Sequence, residues 1–345
     1  MPSMTLRASC PSDLQRIREF LKRVFQTGDE PFLQPEHLQW KYWTPRADFP
    51  VERSYVLENG AQIVAHCAIW PVKLKTRSMT VQAIHGIDWA ANPAFPGAGM
   101  KVGQYVRRLA RVGLCIGGTE ATLRMVPRLG SKMDFSMTQW ERPLRPLQKA
   151  LAEKKDVKTP VRFARDLVWA RFPAPASAIA SRLTTKEVGP EEIAPRRIQS
   201  DSLITSERDA SVNAYIQDCP VARHRFFQLR RGDVAIGHFC LSFALSDAKV
   251  ADLWVESEDS ADWASALSHA LEQARKNSEA TRMVAFSSST ILNDALKIAG
   301  FRNPIARPVY LHDVEDRLSH LSWHLQMLDC DKSFVFENYT KTVAG

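Results

Sequence analysis

Apolar and polar positions divide the chain into short elements. Residues 84–91 (IHGIDWAA) are an apolar, strand-like run that stops at Asn92-Pro93. A tight loop follows at Gly97-Ala98-Gly99, and from Met100 to about Val112 apolar and basic residues recur at helical spacing. Upstream, residues 14–26 show the same period, which predicts a first helix. Residues 54–57 and 63–71 are β-rich runs around Glu58-Asn59-Gly60, and Asn-Gly between two such runs predicts a hairpin. Downstream, residues 113–118 (GLCIGG) read as a buried strand. Residues 121–130 read as a short helix closed by Leu129-Gly130.

The second half repeats this order. Residues 228–243 form another hairpin pattern, around Arg231-Gly232. Ala65-His66 aligns with Gly237-His238, Asp88-Trp89 with Asp252-Leu253-Trp254, and Leu129-Gly130 with Ala299-Gly300-Phe301. The offsets are 172, 164 and 170 residues, a near-constant spacing that predicts a duplication.

A strand opening through glycines onto a helix start is a phosphate cradle, because loop N–H groups and the helix dipole converge on one spot. No Lys-Ser/Thr follows the loop, and no GxGxxG with a distant acidic residue is present, so neither a P-loop nor a dinucleotide fingerprint fits. The stretch Ala94-Phe95-Pro96-Gly97-Ala98-Gly99 resembles the acyl-CoA pyrophosphate loop of the GNAT N-acyltransferases, Arg/Gln-x-x-Gly-x-Gly/Ala, with Ala94 replacing the leading residue. Residues 35–42 (PEHLQWKY), the Asn-Gly hairpin, and the Leu292-to-Leu296 run before Ala299-Gly300-Phe301 also resemble that family, and the likeness in the first half spans about residues 5–140. The second half reads ESEDSADWASAL after Val255, so Glu256, Glu258, Asp259 and Asp262 crowd the spot where phosphates would lie. That copy is expected to have lost its cofactor site.

Composition narrows the class. The chain has 345 residues, 45% hydrophobic and 24% charged, enough for two domains. Residues 1–150 hold 21 Lys/Arg and 12 Asp/Glu, whereas residues 151–345 hold 25 and 26, so the positive excess lies with the glycine loop. No helix-turn-helix, zinc-finger or RNP-like pattern accompanies the net charge of +8, and an anionic cofactor selects such a half as readily as nucleic acid does. The six scattered cysteines read as reduced core residues of a cytoplasmic protein. No leader and no membrane span are expected, since charges interrupt every apolar run. No His/Cys cluster has metal spacing; His320 and His324 come nearest.

The domain reading is a first unit at residues 1–150, a linker and packing segment at 151–200, and a degenerate unit at 201–345. Polar residues 150–159 and the proline-punctuated stretches 172–176 and 189–197 mark the linker. Residues 167–172 read as a strand or short helix, and Leu318, Leu321, Leu325 and Leu328 stand at helical spacing. The fold class is mixed α/β: two tandem GNAT-like domains, each a mixed central sheet flanked by helices.

The resemblance implies direct attack by an amine on the thioester of an acyl-CoA, acetyl-CoA first among donors, or of an acyl carrier protein. The acceptor is a small-molecule or carrier-bound amine, and no metal or nucleic acid is involved. Two alternatives stay open: an acyltransferase acting on a cell-envelope or exopolysaccharide precursor, and a catalytically degenerate pair that binds a ligand or partner. The implied cofactor loop is Ala94, Phe95, Pro96, Gly97, Ala98, Gly99, Met100 and Lys101. The family's frequent tyrosine acid falls on Val126 here and on Leu296 in the second half. Three residues are candidates for the proton-transfer role. His85 and Asp88 lie on the cofactor strand, three apart and thus on opposite faces of a regular strand, and each reads equally as a structural residue. Glu120 follows the next strand, where an i,i+4 salt pair with Arg124 is the plainer reading. Trp40, Tyr42 and His66 are candidates for the acceptor side, or packed anchors.

Overall fold

The computed structural model describes residues 4–152, 157–171 and 183–334. In the first half β1 (Met4–Ala8) leads to α1 (Leu14–Phe25), which buries Ile17, Phe20 and Leu21 on one stripe, and to α2 (Pro35–Trp43). The predicted hairpin is β2 (Ser54–Asn59) and β3 (Gln62–Lys75), turning at Gly60, whose φ is +60°. Next come β4 (Thr80–Ala91), α3 (Ala98–Arg107), β5 (Val112–Ile116), α4 (Glu120–Met125) and β6 (Lys132–Pro143). Helix α3 is shorter than its periodicity predicts, because Val112 is already paired in β5 with Ala83 and Asp313. Helix α4 tightens into a 3-10 turn at Val126–Leu129, where Pro127 cannot continue the α ladder.

The segment read as a linker contains structure of its own. After α5 (Pro146–Ala152) comes α6 (Thr159–Arg171), so residues 167–171 are helical, and then β7 (Leu183–Val188). The FPAPA stretch, 172–176, lies outside the described residues. The second half continues through β8 (Leu203–Ser206), α7 (Ala210–Gln217), β9 (Arg223–Arg231) and β10 (Val234–Ala244). It ends with β11 (Asp247–Val255), α8 (Ser260–Arg275), β12 (Arg282–Ser287), α9 (Thr290–Ile298), β13 (Arg302–Asp313) and β14 (Ser322–His324). The leucines of 318–328 do not form an α-helix. Leu318, Leu325 and Leu328 are buried in a mostly extended segment with a 3-10 turn at Met327–Asp329.

The fourteen strands of the described residues join one sheet, and its order reveals the duplication. The first copy runs β1-β2-β3-β4-β5 with three antiparallel pairings and then a parallel one. The second runs β7-β9-β10-β11-β12 with the same sequence of pairings. The copies exchange their last strands: β13 pairs β5, β6 pairs β12, and β6 and β13 pair with each other at the centre. Gly130 and Gly300, one of the aligned landmarks, both adopt left-handed backbone, at φ +82° and +81°. The largest core cluster draws on both halves, with Trp40 stacked on Tyr215 at 4.7 Å and Trp70 against Phe334 at 4.9 Å.

Burial keeps an unusual number of histidines neutral. It holds His66 at about 4 and His224 and His324 at about 3, and it pushes His37, His85 and His238 below the ordinary value of 6.5. Between those values the unfolded chain binds more protons than the folded one. Stability is therefore full above about 6.5 and falls as pH drops from there towards 3–4. The melting temperature should decline steadily from pH 7 to pH 5 in scanning calorimetry, and a constant value across that range would refute the linkage.

Candidate functional site

Strands β4 and β5 pair over only three residues, Ala83 to His85 against Val112 to Leu114. Beyond that point β4 continues to Ala91 and β5 to Ile116 without pairing each other, so the sheet splays open. The open end leads to the glycine loop. There the chain turns at Asn92, whose carbonyl and side chain accept from the Phe95 and Ala94 N–H groups, both at 3.0 Å. Gly97 is the N-cap of α3 with φ +83°, and no side chain caps the helix. A Cβ at Gly97 would meet nothing within 4 Å. The Ala98 N–H donates to the Phe95 carbonyl at 3.1 Å, which leaves the Gly99 and Met100 N–H groups as the donors of the first turn. Gly99 is different: it is buried, and a Cβ there would lie 3.0 Å from that of Ala91. Trp89 packs beside it and donates its indole N–H to the Gly99 carbonyl at 3.0 Å. Lys101 reaches the Met4 carbonyl at the rim, while Pro96 is exposed and Phe95 and Met100 half-buried. A pyrophosphate fits such a cradle, since uncapped donors and a positive helix end meet there.

Asp88 overturns the expectation of strict alternation. Its φ is +47°, and residues 88 and 89 together oppose Cys67 in a bulge between β3 and β4. The bulge turns Asp88 to the α2 face, the face that also carries Ala83, His85 and Ile87. There the Asp88 carboxylate accepts from the Tyr42 hydroxyl at 2.6 Å and pairs with the Lys41 ammonium at 2.5 Å. Burial pushes this carboxyl up, but Lys41 and Tyr42 outweigh it and hold it below the usual range. His66 is fully enclosed: its Nδ1 donates to the Asp88 carbonyl at 2.9 Å, and its Nε2 faces the Ser54 hydroxyl at 3.0 Å. Both ring nitrogens are thus occupied, and His66 braces the bulge. Trp40 is also buried, donating to the Tyr215 carbonyl at 3.0 Å.

His85 stands at the apex of the splay. Its Nδ1 lies 3.1 Å from the Leu114 carbonyl, which can only accept, so the proton sits on Nδ1 and Nε2 keeps the lone pair. Burial lowers its pKa, and Asp331 from the C-terminal segment opposes that shift. Glu120 is not brought to this cluster; it is exposed at the start of α4 and pairs with Arg124. Val126, where the resemblance places a tyrosine, is buried. Asp331 was not legible in the sequence, because it lies far along the chain from His85. Among the described residues, no group of three His, Cys, Asp or Glu is arranged to hold a metal ion.

The second copy has the same parts, filled by the protein itself. Strands β11 and β12 pair only from Asp247 to Val250 and then splay. The segment after β14 enters that opening: Ser288 N–H donates to the Leu325 carbonyl at 3.1 Å, and the Gln326 amide donates to the Leu253 carbonyl at 2.8 Å. The N-terminus of α8 is capped by Asp259, whose carboxylate accepts from the Ala261 N–H at 2.8 Å. Asp252, the counterpart of Asp88, is enclosed by Arg196, Arg208 and His238.

The fold as a whole matches proteins of known structure. The chain has the fold of the GCN5-related N-acetyltransferases, in two tandem copies. A GCN5-related N-acetyltransferase from Anabaena variabilis matches at TM-score 0.56 and 10% identity, over 90% of this chain and 73% of that one. One from Kribbella flavida matches at 0.53 and 11%, over 90% and 70%. The Saccharomyces cerevisiae N-myristoyltransferase, solved with bound myristoyl-CoA, matches at 0.58 and 10%, over 91% and 81%. No protein-family model and no curated protein sequence matches the chain.

Proposed function

We propose that the first copy binds an acyl-CoA and transfers its acyl group to an amine. The observation that carries this reading is the contrast between the copies: in one no side chain caps the helix beside the unpaired ends of β4 and β5, and in the other Asp259 caps the helix and Gln326 bonds the unpaired backbone of β11. The splayed backbone of β4 takes the pantetheine amides, and the loop from Ala94 to Lys101 takes the pyrophosphate. The amine nitrogen attacks the thioester carbon directly; the C–N bond forms, the C–S bond breaks, and the amine proton passes to Nε2 of His85. The departing thiolate takes a proton from solvent. Acetyl-CoA is the first donor to test, and an acyl carrier protein the second; the acceptor is a small or carrier-bound cytoplasmic amine. A ligand-binding pair without turnover is the second reading, favoured by buried Val126 where a tyrosine acid would stand.

Calorimetry and native mass spectrometry against a panel of acyl-CoAs test both readings. One acyl-CoA should bind per chain. Gly97→Asp should weaken binding by roughly a hundredfold or more relative to Gly97→Asn, which bears the same strain of left-handed backbone (φ +83°) in the same free space but sets no carboxylate against the phosphates. Gly99→Asp is the poorer probe, because it also clashes with Ala91. Unchanged affinity in Gly97→Asp would exclude this site, two bound molecules per chain would overturn the asymmetry, and binding without turnover on any amine would leave the second reading.

A further inference from the structure

Helices α5 and α6 lie between the two copies in sequence and belong to neither, and their polarity is inverted. They pack on each other through a buried ion pair, Lys149 to Asp166 at 2.7 Å, with the two side chains 8% and 6% exposed. Phe163, Leu167 and Ala170 are half-buried beside that pair, but a second aliphatic stripe points the other way. On α5, Leu147 and Leu151 are 62% and 65% exposed at i,i+4 spacing. On α6 and the turn before it, Val157, Val161 and Val168 are 96%, 71% and 54% exposed, and exposed Ala164 completes their stripe at steps of 4, 3 and 4. A helical hairpin in water buries its aliphatic stripe and solvates its charges. This one does the reverse, which signals an apolar partner for the outer face.

Charge identifies the partner. Residues 145–171 hold eight Lys/Arg and three Asp/Glu, a net +5 out of the whole chain's +8. A second copy of the chain would bring another +5 against it. An anionic lipid surface offers both an apolar layer for the valines and leucines and opposite charge for the basic residues. Trp169, half-buried on α6 with the Arg165 guanidinium 4.6 Å from its ring centre, suits the interfacial layer. No described helix is long and apolar enough to cross a membrane, so the contact is one of lying on the surface.

We propose that the α5–α6 hairpin docks the protein onto the surface of an anionic lipid bilayer, its exposed aliphatic stripes entering the headgroup layer. Vesicle flotation of the full chain tests it, with phosphatidylcholine vesicles set against equimolar phosphatidylcholine and phosphatidylserine. The protein should float with the anionic vesicles about tenfold more than with the neutral ones, and raised salt should release it. The combined variant Leu147→Ser, Leu151→Ser, Val161→Ser, Val168→Ser should lose flotation while keeping its melting temperature, as these side chains make no core. Equal recovery on both vesicle types, or recovery on neither, would overturn the proposal without touching the donor site. So would light scattering that shows a dimer which the serine variant converts to monomer, because the face would then belong to a second copy. The comparison of vesicle types and of salt uses the unaltered chain and reads out even if the serine variant does not fold.

Discussion

His85→Asn is expected to lower kcat by about 10²–10⁴-fold with acyl-CoA affinity unchanged, the range of general acid–base catalysis. Asparagine places its amide N–H where Nδ1 now stands, so the bond to the Leu114 carbonyl survives and only the lone-pair nitrogen is lost. His85 sits where β4 and β5 part, which is where a thioester seated in the splay would present its carbonyl. Its lowered pKa keeps the ring neutral at pH 7. The acid limb of kcat against pH should therefore lie below the ordinary histidine value of 6.5 and vanish in the variant. Glu120→Ala should leave kcat at the level of the parent protein, since that side chain points to solvent beside Arg124. A His85→Asn protein with full kcat, and a rate that climbs steadily with pH, would mean that the amine loses its proton to solvent before it binds.

The elements were largely legible in the sequence because local chemistry encodes them. Asn59-Gly60 and Arg231-Gly232 mark the two hairpins, and the stripe of Ile17, Phe20 and Leu21 marks α1. The order of parts around Gly97 was legible for the same reason. What escaped was non-local. Nothing in residues 132–143 says that this strand leaves its own copy to pair with β12, because partner choice is settled by packing between elements far apart in sequence. Strand β7 escaped because LTTKEV, an edge strand with one buried residue, has the composition of a linker. The leucines of 318–328 copied a helical period by accident: each meets a different part of a core shared by both halves. The side on which Asp88 lies escaped because period-two reasoning assumes a regular strand, and a left-handed residue inserts an extra step.

That extra step makes Asp88 the most fragile position near the site. Asp88→Asn is expected to lower the unfolding free energy by about 3–5 kcal/mol, the range for breaking one partner of a buried ion pair. The exchange is nearly isosteric. Asparagine tolerates left-handed backbone, and its side-chain oxygen still accepts from Tyr42, so the removed charge is the main change. What remains is the Lys41 ammonium with no exposed surface and no counter-charge. Adding Lys41→Met should therefore recover most of the loss, a coupling that a denaturant-based double-mutant cycle measures directly. The pH dependence carries the same sign. Because the folded Asp88 carboxyl lies below its ordinary range, its contribution is present above that range and is lost as pH falls through the folded value. The Asn variant should thus lose more stability at pH 7 than at pH 3. An Asp88→Asn protein with parental stability and a kcat reduced a hundredfold or more would instead place this carboxylate among the reacting groups, and His85 would then have a partner on its own face of the strand.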